Sequence, residues 1–119
     1  MAEAAANPRS DFNRVVLPPM SYLHEKDKIE NRWPAAEKFI RDNKLNEFFG
    51  PEKAPLGIVV QGGMYNSVIR ALQRLGLGDI HGQTEVPLYV LNVTYPLLKD
   101  EFDDFCAGKE HVLVVEEGQ

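Results

Sequence analysis

The residues best placed to do chemistry lie where a short apolar segment gives way to two glycines. Gln61 closes the segment, and Gly62-Gly63-Met64-Tyr65-Asn66 follows it. Glycines let a backbone turn sharply, and a helix beginning there offers free N–H groups to an anion. Gly62, Gly63, Met64 and Asn66 are therefore candidate ligand-binding residues. The segment is not a GxGxxG motif and has no cation before Arg70, so a tight strand-to-helix turn is the alternative interpretation.

Two further polar groups follow apolar segments in the same way. Asn92, Thr94 and Tyr95 come after the second apolar run, and Glu116-Glu117 comes after the third. We interpret these five residues as a face towards another domain. The two glutamates could form an acid/base pair, but alternate strand residues face opposite ways, so at most one is expected to point into a cleft.

The remaining reactive side chains form no recognisable constellation. His24, His81 and His111 are far apart and have no second ligand at metal-binding spacing. Cys106 stands beside Phe102 and Phe105, which predicts a buried structural thiol rather than a nucleophile. The sequence therefore predicts no catalytic residue, no metal site and no cofactor bound by this chain.

Composition excludes several classes of function. The chain has 119 residues, 44% of them hydrophobic and 26% charged, as expected for one small domain or part of a larger protein. Its formal net charge is -5 and its basic residues are scattered, which argues against nucleic-acid binding. No apolar run approaches the roughly 20 residues of a membrane span, and no secretion signal opens the chain. We therefore expect a soluble cytoplasmic protein.

The apolar pattern from residue 54 onwards alternates strands and helices. Strands are predicted at Leu56–Gln61, Val86–Val93 and Val112–Val115, with helices at Met64–Leu75 and 97–107. The strands lack polar alternation, which indicates an α/β fold whose parallel sheet is covered on both faces. Ligands of such sheets lie beyond the carboxyl ends of the strands, where the candidate residues fall.

The first half of the chain is less regular. Residues 23–32 are predicted to be a solvated helix or linker, and a helix is predicted from Trp33-Pro34 through Phe49. Val15–Leu17, stopped by two prolines, is either an edge strand or an extended loop. We divide the chain into an N-terminal linker with a short edge strand and helices (1–53) and a β-α-β-α-β unit (54–119). No helix follows the last strand, so the unit is expected to be truncated.

Several segments resemble one enzyme family. They are Leu56–Asn66, Val86–Leu97, Phe105–Lys109 and Val112–Gln119. Together they are similar to indolepyruvate:ferredoxin oxidoreductase, of the thiamine-diphosphate-dependent 2-oxoacid:ferredoxin oxidoreductases. The resemblance covers most of residues 12–119 and corresponds to a middle domain similar to the transketolase C-terminal domain.

This resemblance implies a reaction for the parent enzyme. Aryl 2-oxoacids such as indole-3-pyruvate would be oxidatively decarboxylated, with coenzyme A accepting the acyl group and ferredoxin the electrons. Thiamine diphosphate, Mg²⁺ and [4Fe-4S] clusters would supply that chemistry. The chain has no complete GDG…N diphosphate motif, since Gly78-Asp79-Ile80 has isoleucine in place of the glycine at the third position, and it has no cluster cysteines. No family catalytic residue can be placed on it.

The resemblance also implies a topology. It predicts a three-layer α/β/α fold with a mostly parallel sheet of order 1-3-2-4 and an antiparallel first strand, a fifth strand being missing. Val15–Leu17 would be the first strand, beside Leu88–Val93, and Ile58–Gln61 would lie next to Val112–Glu116. An uncovered edge at Val112–Glu116 predicts self-association.

Three functions are compatible with these features. The first is a structural, interdomain-packing module of the parent enzyme, whose partners are the remaining thiamine-binding and ferredoxin-type domains or subunits. The second is a free-standing nucleotide- or CoA-binding α/β module that uses Gly62-Gly63 and the helix after them. A small flavodoxin-like enzyme is the third, disfavoured because basic and catalytic groups are missing.

Overall fold

The computed structural model describes residues 17–118, and the chain divides into two compact units with the boundary between Ala35 and Ala36. In the first unit, helix α1 (Met20–Asp27) continues into a π-helical turn (Lys28–Arg32). None of these residues is buried, as expected for the charged segment 23–32. Ion pairs along the helical surface, such as Lys28 Nζ to Glu25 Oε1 at 2.6 Å, accompany that exposure. Helix α2 (Trp33–Asp42) spans the boundary.

The second unit is built on a four-stranded sheet. Its strands are β1 (Glu47–Phe49), β2 (Leu56–Gln61), β3 (Leu88–Leu91) and β4 (His111–Val115). They lie in the order β1-β3-β2-β4, with β1 antiparallel to β3 and the other pairs parallel. A 3₁₀ turn (Gly62–Met64) leads from β2 into helix α3 (Tyr65–Arg74), and helix α4 (Lys99–Cys106) joins β3 to β4. The α/β class, the strand order and the antiparallel first strand are as predicted.

The first strand comes from a different segment than predicted. Glu47–Phe49 pairs with β3, so the prediction of Val15–Leu17 was wrong, as was that of a helix extending through Phe49. Leu17 is in no strand, and Val15 and Val16 lie outside the described residues. Helix α2 ends at Asp42, and Lys44 then takes a φ of 48°, which turns the chain. Phe48 stacks on Tyr89 of β3 with ring centroids 4.6 Å apart, a cross-strand contact that favours the strand.

Both faces of the central strands are covered by helices. On one face, Ile58, Val60, Leu88 and Val90 pack with Val68 and Leu72 of α3 in one buried cluster. On the other face, Val59 and Tyr89 pack with Phe105 of α4. Adjacent strand residues point to opposite faces, so the unbroken apolar runs supply both clusters at once. The result is the predicted three-layer arrangement.

Strand β4 is less buried than its sequence predicts. Leu113 and Val114 are 54% and 55% exposed, so the prediction of a third buried strand was wrong. The reason is its position, because β4 lies at the edge of the sheet and pairs only with β2 among the described strands. The predicted edge position is confirmed.

Candidate functional site

The carboxyl ends of the three parallel strands open onto a cavity of about 440 Å³. Strands β2, β3 and β4 end there at Gln61, Leu91 and Val115. This is the sheet edge where open α/β domains hold their ligands. The lining residues are Val59, Gln61, Leu91, Thr94, Leu97, Phe102, Val114, Val115, Glu116 and Glu117.

The cavity combines an apolar floor with an acidic mouth. Val59, Leu91 and Phe102 belong to the hydrophobic cluster that α4 forms with the sheet, so the apolar floor of the cavity is a continuation of the core. The exposed Glu116 and Glu117 contribute the charge, and no lysine or arginine lines the cavity in the part of the chain that the structure describes. The negative potential of the two carboxylates disfavours phosphates and carboxylates in the cavity and favours cationic groups.

Part of the predicted polar face is brought together here. Thr94, Glu116 and Glu117 all line the cavity. Strand β4 ends at Val115, so the alternation of a strand no longer governs the next two residues, and both glutamates are among the lining residues. That at most one of their side chains points into a cleft stays a prediction. Tyr95 is 67% exposed on the same loop as Thr94.

Asn92 has a different role from the cavity residues. Its Nδ2 donates to the Leu45 carbonyl at 2.9 Å and to Glu47 Oε2 at 2.8 Å. The neighbouring Val93 N–H donates to Asn46 Oδ1 at 3.2 Å. These bonds tie the loop after β3 to the segment that leads into β1, so Asn92 positions the loop that carries Thr94.

A buried polar cluster beneath this loop was missed by sequence reasoning. The Tyr89 hydroxyl donates to Glu101 Oε2 at 2.9 Å, and Asn46 Nδ2 donates to the same oxygen at 3.1 Å. Tyr89 is fully buried and Asn46 is 5% exposed. Burial, reinforced by the hydrogen bond to Glu101, raises the pKa of Tyr89 because both favour the neutral phenol. The only signal in the sequence was a tyrosine inside the apolar run Leu88–Leu91.

The glycine turn after β2 has a steric explanation. A Cβ on Gly62 would lie 2.6 Å from Asn92 Oδ1, whereas a Cβ on Gly63 would meet nothing within 4 Å. Met64 packs against the core, Asn66 is exposed, and helix α3 begins at Tyr65. The close approach of Asn92 accounts for Gly62 without a ligand. Anion binding by Gly62, Gly63, Met64 and Asn66 stays a prediction.

This difference between the glycines predicts unequal effects of substitution. Gly62→Ala should lower the free energy of unfolding by about 1–3 kcal/mol, because the added methyl must displace the Asn92 side chain, whose Nδ2 is held by hydrogen bonds to the Leu45 carbonyl and Glu47 Oε2. Gly63→Ala is the matched control and should change it by less than about 0.5 kcal/mol. Urea unfolding measures both values, and equal effects of the two changes would contradict the steric explanation.

A larger cavity, of about 740 Å³, lies at the other end of the sheet. Phe48, Lys53, Glu101, Phe105 and Lys109 are among its lining residues. Lys109 Nζ sits 4.4 Å from the centroid of the Phe105 ring, so this cation already has an aromatic partner. The cavity adjoins the amino end of β3, away from the edge that binds ligands in such folds.

Metal ligation and membrane insertion find no support in residues 17–118. No three His, Cys, Asp or Glu side chains in that range are grouped so that they could hold a metal ion. Within the same range, every helix is too short or too polar to cross a bilayer.

The geometry defines an α/β domain with a mixed four-stranded sheet and an acidic cavity at its carboxyl edge. A family model described as the indolepyruvate oxidoreductase domain matches residues 46–119. The chain belongs to this family.

Two curated relatives agree with that assignment. One is the indolepyruvate oxidoreductase subunit IorA of Methanothermobacter thermautotrophicus, 39% identical over 114 residues, covering 92% of this chain and 17% of the relative. The other is the protein of the same name from Methanothermobacter marburgensis, 31% identical over 122 residues, covering 97% and 18%. The chain thus spans less than a fifth of the length of these relatives. No solved structure matches it.

Proposed function

We propose that the chain is a structural, interdomain-packing module of a thiamine-diphosphate-dependent oxidoreductase acting on aryl 2-oxoacids such as indole-3-pyruvate. The observation that carries this is the family match to residues 46–119, together with relatives named as subunits of indolepyruvate oxidoreductase. The parent enzyme would hold thiamine diphosphate, Mg²⁺ and [4Fe-4S] clusters outside this chain. It would pass the acyl group to coenzyme A and electrons to ferredoxin. We place it in the cytoplasm.

The chemistry of the cavity supports packing rather than substrate binding. Glu116 and Glu117 would repel the carboxylate of a 2-oxoacid and the phosphates of coenzyme A or thiamine diphosphate. The apolar floor beside them suits an apolar side chain with a cation next to it, as a neighbouring domain could supply. Asn92, Thr94, Tyr95, Glu116 and Glu117 form the face that we assign to such contacts.

The partners of this module follow from the same proposal. They are the thiamine-binding and ferredoxin-type domains or subunits of the parent enzyme. The isolated chain is also expected to associate with itself through the edge of β4.

Calorimetry separates this function from that of a free-standing nucleotide- or CoA-binding module. We expect no heat of binding when coenzyme A, or thiamine diphosphate with Mg²⁺, is titrated into the isolated 119-residue chain. A complete enzyme of the family, titrated with the same ligands, serves as the positive control. Binding to the isolated chain with a Kd of about 1–10 μM would contradict the packing role and favour the CoA-binding module.

A further inference from the structure

The cavity of about 740 Å³ beside the start of β3, which we call the amino-end cavity, has a volume that fits a small organic molecule. Strand β1 runs antiparallel to β3, so the carboxyl end of β1 meets the amino end of β3 here. Helix α4 forms the facing wall. All lining residues lie between Phe48 and Lys109, and none belongs to β4 or follows it. The edge of the sheet at β4 therefore takes no part in this cavity.

Phe48 offers an aromatic surface to the amino-end cavity. One face of its ring is stacked on Tyr89, with the centroids 4.6 Å apart and the planes 1° from parallel. Phe48 lines the cavity and is 52% exposed, so the other face of its ring is the open one. The Phe105 ring, 6.2 Å away, already has Lys109 Nζ over it. Phe48 is thus the ring that is free to stack with a ligand.

Glu101 offers a fixed carboxylate to the same cavity. Its Oε2 accepts hydrogen bonds from the Tyr89 hydroxyl and from Asn46 Nδ2, which hold the group in one orientation. Both bonds go to Oε2, and no donor within residues 17–118 bonds to Oε1. No buried side-chain oxygen in that range lacks a partner, so Oε1 must be accessible to solvent. A carboxylate with one oxygen held and the other accessible is a pre-organised acceptor for a charged donor.

The charged groups that line the cavity favour a cation over an anion. Three carboxylates and two ammonium groups line it, namely Glu52, Glu101, Asp104, Lys53 and Lys109. One of the ammonium groups, Lys109 Nζ, is held over Phe105 and lies 3.5 Å from the Glu52 carbonyl oxygen. Asp104 follows Glu101 by three positions on α4, a spacing that brings the two side chains to one face of the helix. Two neighbouring carboxylates attract an ammonium group and repel a carboxylate.

We propose that the amino-end cavity binds a small aromatic amine in its protonated form. The aromatic ring stacks on the open face of Phe48. The ammonium group donates to Glu101 Oε1 and lies beside the Asp104 carboxylate. Such a ligand uses the free ring, the free carboxylate oxygen and the excess of negative charge together. The proposal adds a ligand site to this chain and does not depend on the packing role proposed above.

Titration of the 119-residue chain with phenethylamine at neutral pH, followed by NMR chemical shifts, tests the proposal. We expect saturable binding with a Kd of about 0.1–1 mM, because a ligand of so few atoms reaches only modest affinity. Hydrocinnamate carries the same ring and linker on a carboxylate, and it should bind at least about tenfold more weakly. An anion that binds as well as the amine overturns the proposal. So does an amine that shows no saturation up to about 10 mM.

Two single substitutions on α4 form a matched pair for the charge contact. Asp104→Asn and Asp103→Asn each remove one negative charge from an exposed position, but only Asp104 lines the cavity, whereas Asp103 pairs with Lys99. Asp104→Asn should raise the Kd of phenethylamine by about three- to tenfold, and Asp103→Asn by less than about twofold. Equal effects would mean that the amine responds only to the net charge of the chain, which overturns the site.

The stacking contact is tested by removing the ring from either partner. Phe48→Leu keeps an apolar side chain and should weaken the binding of phenethylamine by at least about threefold, with circular dichroism checking that the fold is kept. Cyclohexylethylamine has no aromatic ring and should bind the unchanged chain more weakly by a similar factor. Equal binding of the two amines overturns the proposed stacking even if Phe48→Leu does not fold. None of these titrations involves coenzyme A or thiamine diphosphate, so their outcome is separate from the test of the packing role.

Discussion

Gly50→Ala should be among the most damaging single substitutions in this chain. Gly50 has a φ of 81°, which costs an L-residue about 1–2 kcal/mol. A Cβ at this position would also lie 2.9 Å from the Val86 carbonyl oxygen and 3.1 Å from the Thr84 carbonyl oxygen. Those atoms belong to the backbone, so relief requires moving the chain that enters β3, at a further cost of about 1–3 kcal/mol. We expect a total loss of about 2–5 kcal/mol in the free energy of unfolding.

Gly76→Ala is the matched control for this effect. Gly76 has a similar φ of 73°, but a Cβ there would meet nothing within 4 Å. Its substitution should therefore cost only the conformational part, about 1–2 kcal/mol. Urea unfolding of the two variants separates the free-energy cost of the positive φ from the cost of the steric contact with the backbone. Equal losses of stability would mean that the segment carrying Thr84 and Val86 moves away from the added Cβ without a further loss of free energy.

The surroundings of Gly50 explain why that segment should resist. Thr84 Oγ1 donates to the Val86 carbonyl at 2.9 Å, and the Val86 N–H donates back to the same hydroxyl at 3.1 Å. Thr84 and Val86 are both buried, so displacing them would expose groups that now satisfy one another. Gly50 thus sits against a rigid turn at the point where β1 ends.

Local pattern was enough to predict the parallel part of the sheet. Leu56–Gln61 is a strand with the predicted bounds, because a β-branched run closed by glycines has no competing helical interpretation. Local pattern was not enough for β1. Glu47–Phe49 continues the apolar spacing of the preceding helix, and only pairing with β3 and the stacking of Phe48 on Tyr89 make it a strand. Such contacts join residues about forty positions apart, which periodicity does not report.

The candidate site, like the sheet, could be predicted from the sequence only in part. Thr94, Glu116 and Glu117 could be placed at one edge because the carboxyl ends of parallel strands coincide there. The cluster of Asn46, Tyr89 and Glu101 could not be predicted, because its members lie on three separate elements and each has an ordinary alternative role. A buried tyrosine needs a partner for its hydroxyl, but the sequence does not say which residue supplies it.

Tyr89→Ala should remove more stability than any other single truncation in the cluster. The side chain is fully buried, stacks on Phe48 and lies 5.6 Å from Phe105 between ring centroids. Truncating a large buried aromatic residue costs about 3–5 kcal/mol, a large share of the stability of a small domain. Tyr89→Phe keeps the ring but leaves Glu101 and Asn46 without the hydroxyl, and it should cost about 1–3 kcal/mol. Urea unfolding measures both, with the exposed Tyr22→Phe expected to change little.

The pH dependence of Tyr89→Phe separates the hydroxyl from the ring. The folded state raises the pKa of Tyr89, so the unfolded chain loses this proton first, near its ordinary pKa of about 10. The stabilisation from the neutral phenol is then complete below about pH 10 and declines as the pH rises further. The difference in unfolding free energy between wild type and Tyr89→Phe should be constant from about pH 7 to 9 and shrink above about pH 10. A difference that stayed constant or grew at high pH would mean that the phenol ionises at least as readily in the folded chain as in the unfolded one, and that Glu101 does not hold its proton in place.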